Sequence, residues 1–170
     1  MPKNIREKVY SLQNEMKKLP MRAKFVEKEN LHLNFSFLGN IDEKRLSNIR
    51  KTLREISSRY SKFKVKCKKI LFIPSKNYFR VLALDVKDGR DIFISISKEI
   101  FELIGGNAKP PHLTLCRVKN VFDKRKIFEF CENAKNFEVE FEINSIQLIK
   151  SELSMRGPKY TLLFFSELQE

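Results

Sequence analysis

An α+β fold of mainly antiparallel strands is predicted by three features of the sequence. Two short segments centred on its only histidines alternate apolar and polar residues with period 2. Amphipathic runs at helical spacing precede and separate them, and two long alternating segments close the chain.

In order, residues 4–19 read as a helix, because Ile5, Val9, Leu12, Met16 and Leu19 recur on one face and Pro20 stops the run. Residues 22–26 suit a short strand, and Asn30 leads into the first histidine strand at 31–37. Gly39-Asn40 makes a turn. From about Asp42 a second helix follows, with Leu46, Ile49, Leu53, Ile56 and Tyr60 as its stripe. Phe63, Val65 and Cys67 alternate with Lys62, Lys64, Lys66 and Lys68, which predicts a strand with a basic outer face. Residues 79–86 form another strand and 92–104 a helix ending at Gly105-Gly106. Pro110-Pro111 enforces an extended approach to the second histidine strand, 112–118. A short helix near 123–134 precedes long strands at 137–150 and 159–166, joined by a turn at Arg156-Gly157-Pro158. The order histidine strand, helix, paired strands thus recurs roughly once per half of the chain.

The 170 residues suit one compact domain of two small lobes without a linker. A domain of that size buries about 70% of its unfolded surface and needs no metal or disulfide staple. With fifteen Phe and no Trp, the core is expected to be Phe, Leu, Ile and Val. Thirty-four Lys and Arg against 21 Asp and Glu give a net charge of +13, a field that attracts polyanions. Lysine-rich surfaces also occur in thermophile proteins, so charge by itself does not single out nucleic acid. Cys67, Cys116 and Cys131 are odd in number and widely spaced, which suits a reducing compartment. No stretch approaches the ~18 apolar residues of a membrane span, and the start lacks a signal-peptide core. The expectation is a soluble, cytoplasmic protein with no membrane partner.

The histidine segments, His32-Leu33-Asn34-Phe35 and His112-Leu113-Thr114-Leu115, share one pattern. In a strand, residues i and i+2 lie ~6.5 Å apart on one face. His32 with Asn34, and His112 with Thr114, therefore project as pairs of an imidazole and a hydrogen-bond donor. Side by side, the two strands would flank one phosphate. One neutral histidine would take a proton from the attacking water or hydroxyl, and the other, protonated, would protonate the leaving oxygen. Asn34 and Thr114 would donate to the non-bridging oxygens, where charge accumulates. A lone strand histidine is usually only a capped surface or core residue; a matched pair is not explained that way. His112 and Cys116 share a face under strict alternation but sit ~13 Å apart, too far for a thiolate–imidazole pair. Two histidines beside Asn and Thr supply too few ligands for zinc, so no metal and no cofactor are expected.

The paired motifs resemble those of the 2H phosphoesterase superfamily, specifically the RNA 2′,3′-cyclic phosphodiesterases of archaeal and bacterial type, also called 2′-5′ RNA ligases. That family carries two H-x-T/S-x motifs, the first often followed by F-L-G and the second by an arginine. Here they are His32-Leu33-Asn34-Phe35-Ser36-Phe37-Leu38-Gly39 and Pro111-His112-Leu113-Thr114-Leu115-Cys116-Arg117. A C-terminal S-x-L…G-x-x-Y spacing matches at Ser151, Leu153, Gly157 and Tyr160.

The resemblance implies two pseudo-symmetric lobes with sheets facing across a central groove. It implies metal-free opening of an RNA 2′,3′-cyclic phosphate to a 2′-phosphate, with His32 as the acid on the 3′ oxygen and His112 as the base. The substrate would be a tRNA-like RNA end or a small cyclic nucleotide, with Thr114 and Arg117 as phosphate contacts. Strand parity puts Arg117 on the face opposite His112 unless a bulge intervenes. The same site run in reverse would join a cyclic end to a 5′-hydroxyl, and a non-catalytic RNA-binding protein of this fold is the alternative of another class.

Two departures stand out. Asn34 replaces the usual threonine, and its amide still donates. The family's first apolar strand, of the kind R-x-F-I-A-I, is expected to be missing, because Met1-Pro2 stands where that strand ends. Met1 is then an internal methionine or the strand is absent, and a sheet edge is exposed either way.

Overall fold

The computed structural model describes residues 1–154 and 157–170. Helices form at α1 (Lys3–Met16), α2 (Glu43–Ser57), α3 (Arg90–Leu103) and α4 (Lys124–Asn133). Strands form at β1 (Met21–Phe25), β2 (Phe63–Pro74), β3 (Phe79–Asp88), β4 (His112–Val121), β5 (Glu138–Ile143), β6 (Ser145–Ser154) and β7 (Gly157–Glu167). This is the α+β class that the alternating and helical patterns predict. The chain divides into two compact units, each assembled from three stretches: 1–34, 64–90 and 111–141 in the first, and 35–63, 91–110 and 142–170 in the second.

The first unit is built on a five-stranded sheet in the order β1-β4-β3-β2-β5, with β1/β4, β4/β3 and β3/β2 antiparallel. Helices α1 and α4 cover one face. Phe72 and Phe79 meet Phe128 of α4, with ring centroids 5.1 Å apart for Phe72–Phe128 and 6.3 Å for Phe79–Phe128. Leu82, Leu84, Leu113, Leu115 and Cys116 are fully buried. Gln13 of α1 is buried as well, because its amide donates to the carbonyls of Val26 and Leu115, both at 2.9 Å. That satisfies backbone acceptors where β1 leaves the sheet. Asp123 caps α4 by accepting from the Arg125 amide at 3.0 Å.

In the second unit, α2 buries Ile49, Leu53 and Ile56, and Asp42 caps it by accepting from the Lys44 amide at 2.9 Å. The β6/β7 hairpin packs on this helix, with Arg54 over the Phe164 ring at 5.6 Å. Helix α3 ends where Gly105 donates back to the Phe101 carbonyl at 3.0 Å.

Several sequence expectations differ from the structure. Helix α1 stops at Met16, and Lys18 and Leu19 close a tighter turn with i→i+3 bonds of 3.1 Å. The long strand at 137–150 is two strands broken at Asn144, which hands the chain from the first sheet to the hairpin. The alternation changes parity at this point, since Val139, Phe141 and Ile143 are apolar at odd positions and Ile146 and Leu148 at even ones, with Asn144-Ser145 between. The first histidine strand, 31–37, does not form. After a 3₁₀ turn at Lys28–Asn30 the segment is irregular, and only Phe37 makes a bridge, to Asn107. The partners of β4 are β1 and β3, so the two histidine segments are not neighbouring strands, and the repeat expected from the sequence lacks its first strand. The turn predicted at 156–158 falls partly outside the described residues, at Arg156.

Among the described residues, no helix is long and apolar enough to cross a membrane.

Candidate active site

Pro110-Pro111 delivers the chain to β4 at its first residue, His112. His112 and Thr114 are half-buried and project from one face, while Leu113 and Leu115 between them are buried. Beyond Thr114 the alternation breaks. On β3 the consecutive residues Leu82 and Ala83 pair with Cys116 and Thr114, so Leu115 is an extra residue in β4. This β-bulge turns Leu115 and Cys116 both inward and moves every later residue to the other parity. Arg117 is therefore exposed on the face of His112 and Thr114, not opposite them. The same bulge removes Cys116 from the histidine's face. Burial pushes its thiol up to about 12, so it supplies no thiolate.

The sheet adds a residue that sequence reasoning missed. Asp85 of β3 stands directly opposite His112 and is only 6% exposed. Its carboxylate meets Arg90 at 2.9 Å and Lys87 at 2.5 Å. The sequence signal was a carboxylate inside the run Val81-Leu82-Ala83-Leu84-Asp85-Val86, where burial needs partners. Gly89 lets the chain turn tightly into α3 and bring Arg90 back. Its φ is +72°, and a Cβ there would meet the Lys64 carbonyl oxygen at 2.1 Å.

The first motif reaches the unit by a different route. The Val26 amide donates to the Leu115 carbonyl at 3.0 Å, which ties the end of β1 to β4 three residues from His112. The 3₁₀ turn follows, Leu31 is buried, and His32 is exposed. His32 Nδ1 lies 2.7 Å from the Asn30 carbonyl oxygen. A carbonyl only accepts, so Nδ1 carries a proton. Asn34 is half-buried and ends this stretch. In the second unit, Phe35 stacks on Phe93 of α3 with centroids 4.1 Å apart, and Phe37 and Asn107 exchange backbone hydrogen bonds of 3.1 and 2.9 Å. His32, Asn34, His112, Thr114 and Arg117 all belong to the first unit.

Charge is unevenly spread on the sheet. Two lysines of β2 that read as part of a basic surface are matched by acids: Lys64 by Glu140 at 3.8 Å, and Lys66 by Asp88 at 3.4 Å and Glu140 at 3.7 Å. Strands β1 and β4 contain no carboxylate. Lys24 pairs across from Arg117, and Arg22 across from Asn120, so their side chains share the face of His112. Among the described residues there is no group of three or more His, Cys, Asp or Glu side chains placed to hold a metal ion.

The family described as LigT like Phosphoesterase matches residues 1–83. An RNA 2′,3′-cyclic phosphodiesterase of Methanocaldococcus jannaschii is 35% identical over 170 aligned residues, covering 96% of this chain and 94% of that protein. One from Aquifex aeolicus is 33% identical, covering 95% and 89%. The crystal structure of TT0787 of Thermus thermophilus superposes with a TM-score of 0.78 at 21% identity, over 99% of this chain and 94% of that one, which shows a shared fold. By its likeness to relatives along almost their whole length, the chain belongs to the LigT-like phosphoesterase family that includes the RNA 2′,3′-cyclic phosphodiesterases.

Proposed function

We propose that the protein opens the 2′,3′-cyclic phosphate at an RNA end to a 2′-phosphate, without a metal ion, by acid–base catalysis between His32 and His112. The observation that carries this reading is the bulged strand β4, which turns an imidazole, a hydroxyl and a guanidinium to one face in a unit that also holds His32. Its relatives' names supply the substrate class.

In the proposed reaction, neutral His112 takes a proton from water as the water oxygen bonds to phosphorus. The bond from phosphorus to the 3′ oxygen breaks, and His32, protonated at Nε2, gives its proton to that oxygen. The product carries a 2′-phosphate and a free 3′-hydroxyl. His32 suits the acid role because its Nδ1–H stays engaged by the Asn30 carbonyl in both charge states. The Thr114 hydroxyl and Asn34 amide donate to the non-bridging oxygens, and Arg117 offsets the charge that grows there. Asp85, directly opposite His112 on the neighbouring strand, is placed to hold the imidazole in one orientation.

The test is hydrolysis, in EDTA, of an RNA ending in a 2′,3′-cyclic phosphate. His32→Ala and His112→Ala are expected to lose at least ~10²-fold in rate, with only 2′-phosphate formed by wild type. Wild-type protein that binds the RNA and leaves the cyclic end intact would make this an RNA-binding member of the fold instead.

A further inference from the structure

The far end of β4 from His112 bears a cleft of about 230 Å³ that the proposed chemistry does not use. It is lined by Tyr78, Arg80, Lys119, Asn120 and Lys124 among others, and no carboxylate lines it. Tyr78 is 58% exposed, although an aromatic ring of this size usually seeks cover. It is also held in place. Arg80 Nε donates to the Tyr78 hydroxyl at 2.7 Å, and the guanidinium lies 5.1 Å from the ring centroid. Arg80 is itself anchored by donation to the Lys119 carbonyl at 3.2 Å, and Lys124 donates to the Asn77 carbonyl at 2.6 Å.

A second irregularity orients this end. Between Arg22 and Ala23 the partners on β4 jump from Asn120 to Val118, so Lys119 is an extra residue in the strand. Arg117, Lys119 and Asn120 are all exposed there, beside Lys24 and Arg22 of β1. From His112 the face therefore runs through Thr114 and Arg117 to Lys119 over about 20 Å, at ~3.3 Å per residue, along two strands without an acid. A phosphate track that ends on a fixed, exposed aromatic ring is the arrangement that holds single-stranded nucleic acid.

We propose that this cleft is a second subsite, in which a base of single-stranded RNA upstream of the cyclic end stacks on Tyr78 while Arg80, Lys119 and Lys124 hold adjacent phosphates. The subsite rests on the proposed activity for its strand direction, because the cyclic phosphate is a 3′ terminus. It makes the protein a reader of strand length as well as of the end group. Stacking on one aromatic ring is worth roughly 5- to 100-fold in affinity, so Tyr78→Ala should lose about that much on long RNA and nothing on a mononucleotide.

The experiment measures binding by fluorescence anisotropy of single-stranded RNAs ending in an uncleavable 3′-phosphate, from one to about eight nucleotides, the low end of known single-strand site sizes. Hydrolysis of a cyclic mononucleotide is followed in parallel. Wild-type affinity should rise with length; Tyr78→Ala should flatten that rise, Tyr78→Phe should keep it, and Lys124→Ala should lower the salt slope by about one. Mononucleotide hydrolysis should be unchanged in all three variants. Affinity independent of length in wild type, or an undiminished rise in Tyr78→Ala, overturns the subsite. If wild type hydrolyses nothing while binding still depends on length and Tyr78, the active-site reading fails and the subsite stands.

Discussion

Asp85 and His112 face each other directly across β3 and β4, and the carboxylate is buried between Arg90 at 2.9 Å and Lys87 at 2.5 Å. A directly opposed antiparallel pair places its Cβ atoms about 4.5–5.5 Å apart. The pair joins the sheet's register to the proposed chemistry, because the base must hold one ring orientation to receive a proton.

Asp85→Asn keeps the shape and removes the charge. Its expected signature is a fall of at least about tenfold in kcat with KM nearly unchanged, as for an interaction made mainly in the transition state. Steady-state kinetics on a cyclic mononucleotide separate the two constants. Equal losses from Asp85→Asn and Lys87→Ala, both in KM, would assign the carboxylate to binding rather than to positioning.

The sequence made the second half of the site legible and left the first half obscure, for a physical reason. His112 and Thr114 sit on a strand with a partner on each side, so period-2 alternation and geometry agree there. In the His32 segment the alternation is equally clean, but pairing depends on a neighbour, and that segment gains only the Phe37 bridge. Arg117 shows the opposite case: one extra residue, Leu115, reverses parity, and nothing in Leu113-Thr114-Leu115-Cys116 announces it. Lys64 and Lys66 of β2 overstated the charge of that face, since their acid partners come from β3 and β5, remote in sequence. Helices fared better because their periodicity and caps are local, as the Asp42 and Asp123 N-caps show.

Gly106 is the point where the loop after α3 meets the first motif. Its φ is +98°, and a Cβ there would stand 2.7 Å from both the Phe37 carbonyl oxygen and the Ser36 hydroxyl oxygen. Gly106→Ala should therefore cost more than the roughly 1–2 kcal/mol of an unfavourable backbone conformation and should displace residues 36–38. Gly39→Ala is the control, with φ +73° and open space around its Cβ. Thermal denaturation should rank Gly106→Ala clearly below Gly39→Ala; similar midpoints would show that the loop yields without strain.

Gln13 ties α1 to the place where β1 leaves β4. Gln13→Leu fills a similar volume but deprives the Val26 and Leu115 carbonyls of a donor. Leu115 keeps the Val26 amide, so the loss falls mainly on Val26, about 1–3 kcal/mol. Urea denaturation measures it. A change below about half a kcal/mol would mean that water takes over the carbonyl.

The three cysteines give a pH prediction. Burial holds the Cys67, Cys116 and Cys131 thiols up to about 12, against 9.0 for an unhindered thiol. A raised acid favours the folded state wherever it stays protonated, so the contribution is complete below pH 9. It is lost as pH climbs toward 12, because only the unfolded chain releases these protons. Each thiol then adds about 1 kcal/mol of lost stability per pH unit across that window. Urea denaturation at pH 7, 9, 10 and 11 should show wild type weakening faster than Cys67→Ala, although the variant starts lower for want of buried volume. Lysine and tyrosine titrations are common to both proteins and cancel in the difference. Parallel curves, or rapid labelling of all three thiols in the native protein at pH 8, would contradict their burial.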